Sequence, residues 1–201
     1  MIGILVAERQ PMVRRGLVAS LECETDLKVV ADVDNGEDVV PAVLEHHPDA
    51  AVVDLDLPGL DGFTVALRLH ENAPGCRVLL LARRPNPGQV RRAFAVHALG
   101  FMSLDARPEQ LADGVRRVAA GRRAVDADLA LAALESAENP LTRREMDVLR
   151  LAARGARSSE IADQLFLSVG TVRNHLSRIM CKTHARSRLD AVRIASDSGW
   201  L

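Results

Sequence analysis

Tyrosine is absent, tryptophan occurs once and phenylalanine four times in 201 residues. So few aromatics exclude a base-stacking sheet or an aromatic-lined saccharide groove, and any nucleic acid must be read by helices. The three cysteines, Cys23, Cys76 and Cys181, are odd in number and scattered, which suits reduced thiols of a cytoplasmic protein better than a disulfide framework. No run of 18 apolar residues occurs, and Met1–Ala7 ends at Glu8 without a basic start or a small-residue cleavage site, so neither a membrane span nor a secretory leader is expected. No glycine-rich phosphate loop, nucleophile elbow or dinucleotide fingerprint is present, which leaves enzyme chemistry without a foothold. His46-His47 and Cys181-x-x-His184 are the hints of metal ligands, and neither has a second pair at zinc spacing.

Lysine is scarce too, at Lys28 and Lys182. Charge is unevenly placed along the chain. Residues 1–138 hold 15 Arg and Lys against 21 Asp and Glu, a balance of −6, while residues 139–201 hold 11 against 6, a balance of +5. That asymmetry predicts an acidic domain joined to a small basic one with an anionic partner. Over residues 1–121, apolar runs at Ile2–Ala7, Leu27–Ala31, Ala50–Asp54, Arg77–Ala82 and Gly100–Leu104 alternate with stretches of helical periodicity. The pattern predicts a doubly wound α/β domain with a five-stranded parallel sheet, whose ligands belong at the carboxyl ends of the strands. Pro41 interrupts the second helical stretch and should start it late or kink it. Residues 122–139 read as a partly helical linker closed by a turn at Ser136–Pro140.

Residues 140–201 show only helical periodicity. Thr142-Arg-Arg-Glu145 has the form of a capping box, and a second helix follows Ser158. Ser168 caps a third, with Val169, Val172, Leu176 and Ile179 on one side and Arg173, Asn174, Ser177, Arg178 and Cys181 on the other. A fourth covers about Arg188–Ser198. This is a helix-turn-helix, and its third helix has the two faces that a reader of double-stranded DNA needs. Arg173 can bond guanine O6 and N7, and Asn174 adenine N6 and N7. Ser168, Thr171, Arg178 and Lys182 suit phosphate oxygens.

The segments Leu141–Leu149, Glu160-Ile-Ala162 and Leu167–His175 resemble the LuxR-type helix-turn-helix, and the acidic domain ahead resembles the receiver of NarL/FixJ-type response regulators. Arg193-Ile-Ala and the closing Gly-Trp-Leu201 are similar to a DesR-like, actinobacterial group. The resemblance implies base-facing roles for Arg173, Asn174 and Ser177. It also implies pairing of two DNA-binding domains through the fourth helix, at Leu189, Val192 and Ala195, and leaves RNA polymerase as a further partner. His184 stands where the family usually has glycine.

A receiver of that family, by the same resemblance, holds Mg²⁺ on two acidic residues and a phosphoacceptor Asp, and uses a Thr or Ser and a Lys besides. Asp54 in Val53–Gly62 matches the acceptor loop, and Glu8 keeps one acidic position. The other is Arg9, the hydroxyl position is Ala82 and the lysine position is Leu104. A guanidinium offers donors only, so Mg²⁺ binding is not expected. Two accounts stay open for Arg9: an ion pair with Asp54 that imitates a neutralised site, or decay of an unused pocket. The expected function is a homodimeric, sequence-specific transcription regulator acting without aspartyl phosphorylation. The rivals are an ordinary phospho-switch, a sequestering module that binds DNA weakly, and a receiver governed by a small-molecule ligand. Arg83-Arg84 and Arg91-Arg92 read as solvated pairs flanking the fourth helical stretch.

Overall fold

A computed structural model describes residues 1–135 and 139–201. The chain divides into two compact units, one built of Met1–Pro85 with Gln89–Ala133 and the other centred on Leu134–Leu201. In the first, β1 (Ile2–Ala7), β2 (Leu27–Val33), β3 (Ala50–Asp54), β4 (Arg77–Ala82) and β5 (Gly100–Ser103) alternate with α1 (Pro11–Glu22), α2 (Gly36–His46), α3 (Gly62–Asn72), α4 (Pro87–Ala95) and α5 (Pro108–Ala119). Then come β6 (Ala124–Val125) and α6 (Ala127–Glu135). All strand pairings are parallel, in the order β2-β1-β3-β4-β5-β6.

The sheet therefore has six strands, not the five expected. Two residues of β6 pair with Gly100 and Phe101 inside the stretch read as linker, and a two-residue strand is too short to show an alternating pattern. Residues 136–138 of the turn expected at Ser136–Pro140 lie outside the described residues. α2 runs through Pro41 without interruption.

Strand residues alternate between two apolar layers, as the pleat requires. Leu5, Ala51, Val53, Leu80 and Phe101 face α2, α3 and α4 through Val39, Val43, Phe63, Leu69 and Val90. Ile4, Val6, Val52, Leu79 and Leu81 face α1 and α5 through Leu21, Leu111, Val115 and Val118. With both faces covered, the polar work falls to the strand ends. β1 and β3 are neighbours from which the chain winds in opposite directions, so Glu8 and Asp54 meet at the topological switch point, where open α/β sheets place their ligands.

The second unit contains α7 (Arg143–Ala153), α8 (Ser158–Leu165), α9 (Val169–Thr183) and α10 (Arg188–Asp197) around Val148, Leu149, Ile161, Val172, Ile179 and Ala191. Thr142 and Glu145 close the capping box, each side chain accepting from the other residue's backbone N–H. Among the described residues no helix is long and apolar enough to cross a membrane.

Candidate nucleic-acid interface and receiver pocket

On α9 the helical period separates two faces. Val172, Leu176, Ile179 and Thr183 are buried, whereas Arg173, Asn174, Ser177, Arg178 and Cys181 are exposed. Ser168 caps the helix by accepting from the Thr171 N–H at 3.0 Å, and the two hydroxyls lie 2.9 Å apart. The exposed face thus begins at a helix N-terminus, where unpaired N–H groups and the helix dipole favour phosphate. Arg173 and Arg178 extend from it with no ion pair among the described residues, which leaves both guanidinium forks available to bases or phosphates.

Lys182 is different. Its ammonium donates to Glu145 Oε2 at 2.7 Å, and that carboxylate side chain is 4% exposed. The same oxygen accepts from the Thr142 N–H and hydroxyl at 2.7 and 2.9 Å. Burial alone would push the Glu145 carboxyl up, but the Lys182 and Thr142 bonds outweigh it and hold it below its ordinary value. Lys182, expected at a phosphate, is thus engaged within the domain, where it ties α9 to the start of α7.

In the first unit the carboxyl ends of β1, β3 and β4 bring Glu8, Asp54 and Arg83 together. Glu8 is 0% and Asp54 1% exposed. Glu8 Oε1 accepts from the Gln10 N–H at 2.8 Å and Asp54 Oδ1 from the Asp56 N–H at 3.2 Å. Glu8 Oε2 and Asp54 Oδ2 have no hydrogen-bond partner, and neither do Nε and Nη2 of Arg83. Arg9 Nε stands 4.0 Å from Asp54 Oδ2, and Arg83 Nη2 stands 3.8 Å from Glu8 Oε1. Both contacts are electrostatic and too long for hydrogen bonds. Burial raises both carboxyls above their ordinary values, and neither the backbone bonds nor the two guanidiniums cancel it. The acceptor loop packs closely here: any side chain at Gly62 would meet the Asp54 carbonyl oxygen at 2.6 Å.

Two sequence profiles match this chain: bacterial regulatory proteins of the luxR family over residues 139–195, and the response regulator receiver domain over residues 4–116. The chain belongs to the LuxR family of response regulators. It is 39% identical over 203 residues to the response regulator RamR of Streptomyces coelicolor, spanning 100% of this chain and 98% of that one. With the transcriptional regulatory protein DesR of Bacillus subtilis it shares 36% over 200 residues, 100% of this chain and 99% of the other. A solved LuxR-family regulator from Aurantimonas is 26% identical with a TM-score of 0.64, covering 67% of this chain and 96% of that one. The protein is thus a DNA-binding transcriptional response regulator and not an enzyme.

Of the receiver positions named from sequence, Glu8 and Asp54 lie buried side by side, Arg9 stands at the rim, and Leu104 packs away from them. Arg9 is 43% exposed and only grazes Asp54. The cation that enters the pocket is Arg83, one residue beyond Ala82, and not a solvated residue as its pairing with Arg84 suggested. Arg92 stays exposed, its guanidinium over the Phe63 ring at 4.1 Å and 3.9 Å from Asp61 Oδ2. Ala82 is buried, and Leu104 turns toward the α1/α5 layer, donating its N–H to Ala82 O at 2.8 Å. Two buried carboxylates are within what Mg²⁺ uses, but a guanidinium stands beside each, at 4.0 Å from Asp54 and 3.8 Å from Glu8, and that positive charge opposes a divalent ion.

On α10, Leu189 is 79% exposed while Val192 is half-buried against the core. Ala195 is fully buried in its own domain, so it is withdrawn from the expected dimer contacts. His184 closes α9 in the left-handed conformation, at φ 52° and ψ 29°.

Proposed function

We propose that this regulator binds DNA as a homodimer and that its receiver works without aspartyl phosphorylation, the protein residing in the cytoplasm. In this reading the receiver extends through β6. Arg173, Asn174 and Ser177 read bases, Ser168, Thr171 and Arg178 hold phosphates, and Leu189 with the open part of Val192 meets the second protomer. The observation that carries the second claim is the charge balance of the pocket. Glu8 and Asp54 face Arg9 and Arg83, so positive charge is supplied by side chains, while the hydroxyl and lysine that would report and pair a phosphoryl group are Ala82 and Leu104. A receiver so built keeps its cations whether or not Asp54 is modified, and lacks the hydroxyl and the lysine that would register a new charge.

Acetyl phosphate or beryllofluoride with Mg²⁺ tests the claim. The expected result is no phosphoryl mass increment on the intact chain and unchanged dimerisation and DNA affinity. A phosphoryl adduct on Asp54 with tenfold tighter DNA binding, about 1.4 kcal/mol, overturns it. One observation favours the phospho-switched alternative: Asp54 Oδ2 has no hydrogen-bond partner and so remains a candidate acceptor. A ligand-controlled receiver has a different support, a cavity of about 630 Å³ beside β5, α5 and β6 lined by Met102, Asp105, Glu109, Asp113, Arg117 and Asp126. Contact with RNA polymerase stays an expectation of the same reading.

A further inference from the structure

Phe166, in the turn between α8 and α9, carries two costs that the fold does not require. Its side chain is 95% exposed, more than any other large apolar residue described. Its backbone is left-handed, at φ 55° and ψ 48°, where it caps α8. An L-residue with a Cβ is disfavoured there, and glycine or asparagine is the usual occupant. The turn itself is closed by backbone groups, Phe166 N–H to Asp163 O at 3.4 Å and Leu167 N–H to Ala162 O at 2.9 Å, which glycine would supply equally well. Leu167, not Phe166, turns into the apolar cluster. A lone exposed apolar residue is ordinary, but Phe166 joins exposure to a left-handed backbone that glycine would adopt without cost, and such strain gathers at functional sites.

Its neighbours say which partner. Phe166 stands two residues before Ser168, the cap of α9, and the exposed positions Val169, Gly170 and Arg173 follow directly. On the other side, an Arg144 guanidinium donates to Leu165 O at 2.6 Å, which fixes a positive charge at the same turn. Hydroxyls, an open helix N-terminus and a held guanidinium around one apolar ring match the edge of a DNA groove, where phosphates flank apolar deoxyribose and thymine methyl surface. We propose that Phe166 is a DNA contact whose ring packs on sugar and methyl surface beside the bases read by α9. The inference rests on the assignment of α9 as the recognition helix.

The test uses the full-length protein with Phe166→Gly and Phe166→Asn, and a DNA duplex selected from a random pool by the wild type. Thermal midpoint and affinity are measured, the latter across a range of salt. A ring that serves DNA predicts an unchanged or higher midpoint, affinity lower by about tenfold, and an unchanged slope of log affinity against log salt, because no phosphate charge is lost. Arg173→Ala is the control and should weaken binding and relax base preference on the same duplex. If both Phe166 variants bind as wild type while Arg173→Ala weakens binding, the ring does not touch DNA and serves a protein partner or nothing. A fall in midpoint would show a structural role and overturn the proposal as well. If Arg173→Ala is also silent, the recognition-helix assignment fails and the inference fails with it.

Discussion

Replacing Lys182 by alanine should act on the fold of the DNA-binding domain and not on DNA. The substitution leaves the Glu145 carboxylate, 4% exposed, with only the N–H and hydroxyl of Thr142 as donors. Removing one partner of a buried pair costs about 3–5 kcal/mol. Here Lys182 is 35% exposed, so water can take its place in part, and the expectation falls to about 1–3 kcal/mol. For a unit of this size each kcal/mol moves the midpoint by about 4–8 °C. Thermal melts of the full-length protein by circular dichroism measure it, beside DNA titrations across salt. Because Glu145 is held below its ordinary value, its stabilisation is complete above the ordinary carboxylate range and is lost as pH falls through its folded value. The Lys182→Ala protein should therefore lose less stability than wild type on acidification, and Glu145→Gln should remove most of the effect of Lys182→Ala in a double-mutant cycle. An unchanged midpoint with a salt slope reduced by about one would refute the reasoning and return Lys182 to the phosphate contacts.

In the receiver, Asp54→Asn and Glu8→Gln should each stabilise the fold at neutral pH by on the order of 1 kcal/mol. An acid raised by burial costs stability above its folded pKa, a cost that fades as pH falls through it; urea unfolding at pH 5 and 8 checks both size and direction, and destabilisation by Asp54→Asn would favour a strong Arg9 pair. His184→Gly should raise the stability of the DNA-binding domain by about 1 kcal/mol, because the left-handed cap penalises a Cβ; a lower thermal midpoint would contradict this. Footprinting should protect two half-sites about 10 base pairs apart, centre to centre, and Leu189→Lys should reduce this to single-site protection by a monomer without unfolding the domain. Arg173→Ala or Asn174→Ala should cost about 1–3 kcal/mol at the selected site and flatten base preference, whereas equal losses on selected and random DNA would count against base reading.

The helices and strands that bury a face were legible because burial imposes a period. Val172, Leu176 and Ile179 on α9, or the solid apolar run Ala50–Val53, show it directly. β6 escaped because two residues carry no period, and its pairing with β5 depends on a strand more than twenty residues earlier. Three histidines and Phe166 hold positive φ at places where the sequence offers no glycine signal. For His47, Phe166 and His184 the need arises from where a helix must stop, which the rest of the domain decides.

The site residues divide along the same line. Asp54, Arg9, Ala82 and Leu104 were located through the resemblance to receivers, whose functional positions follow strand ends, and strand ends were visible. Arg83 was visible by the same rule, one residue past β4, yet its neighbour Arg84 made both look like a solvated pair. The deciding fact is that β4 lies next to β3 in the sheet, so that a side chain leaving its carboxyl end reaches the edge where the buried carboxylates gather. The Lys182–Glu145 pair joins residues 37 apart and had no such offset to reveal it. What composition did say was that lysine is rare. With Lys28 on β2 and Lys182 bound internally, the positive charge available to the receiver pocket and to the reading face of α9 comes from arginine. Arginine stays charged under all physiological conditions and bonds through a planar fork. On the proposed function that suits the reading of guanine and a pocket whose cations never titrate, and it leaves out the compact ammonium with which a phosphorylated receiver would pair the phosphoryl group.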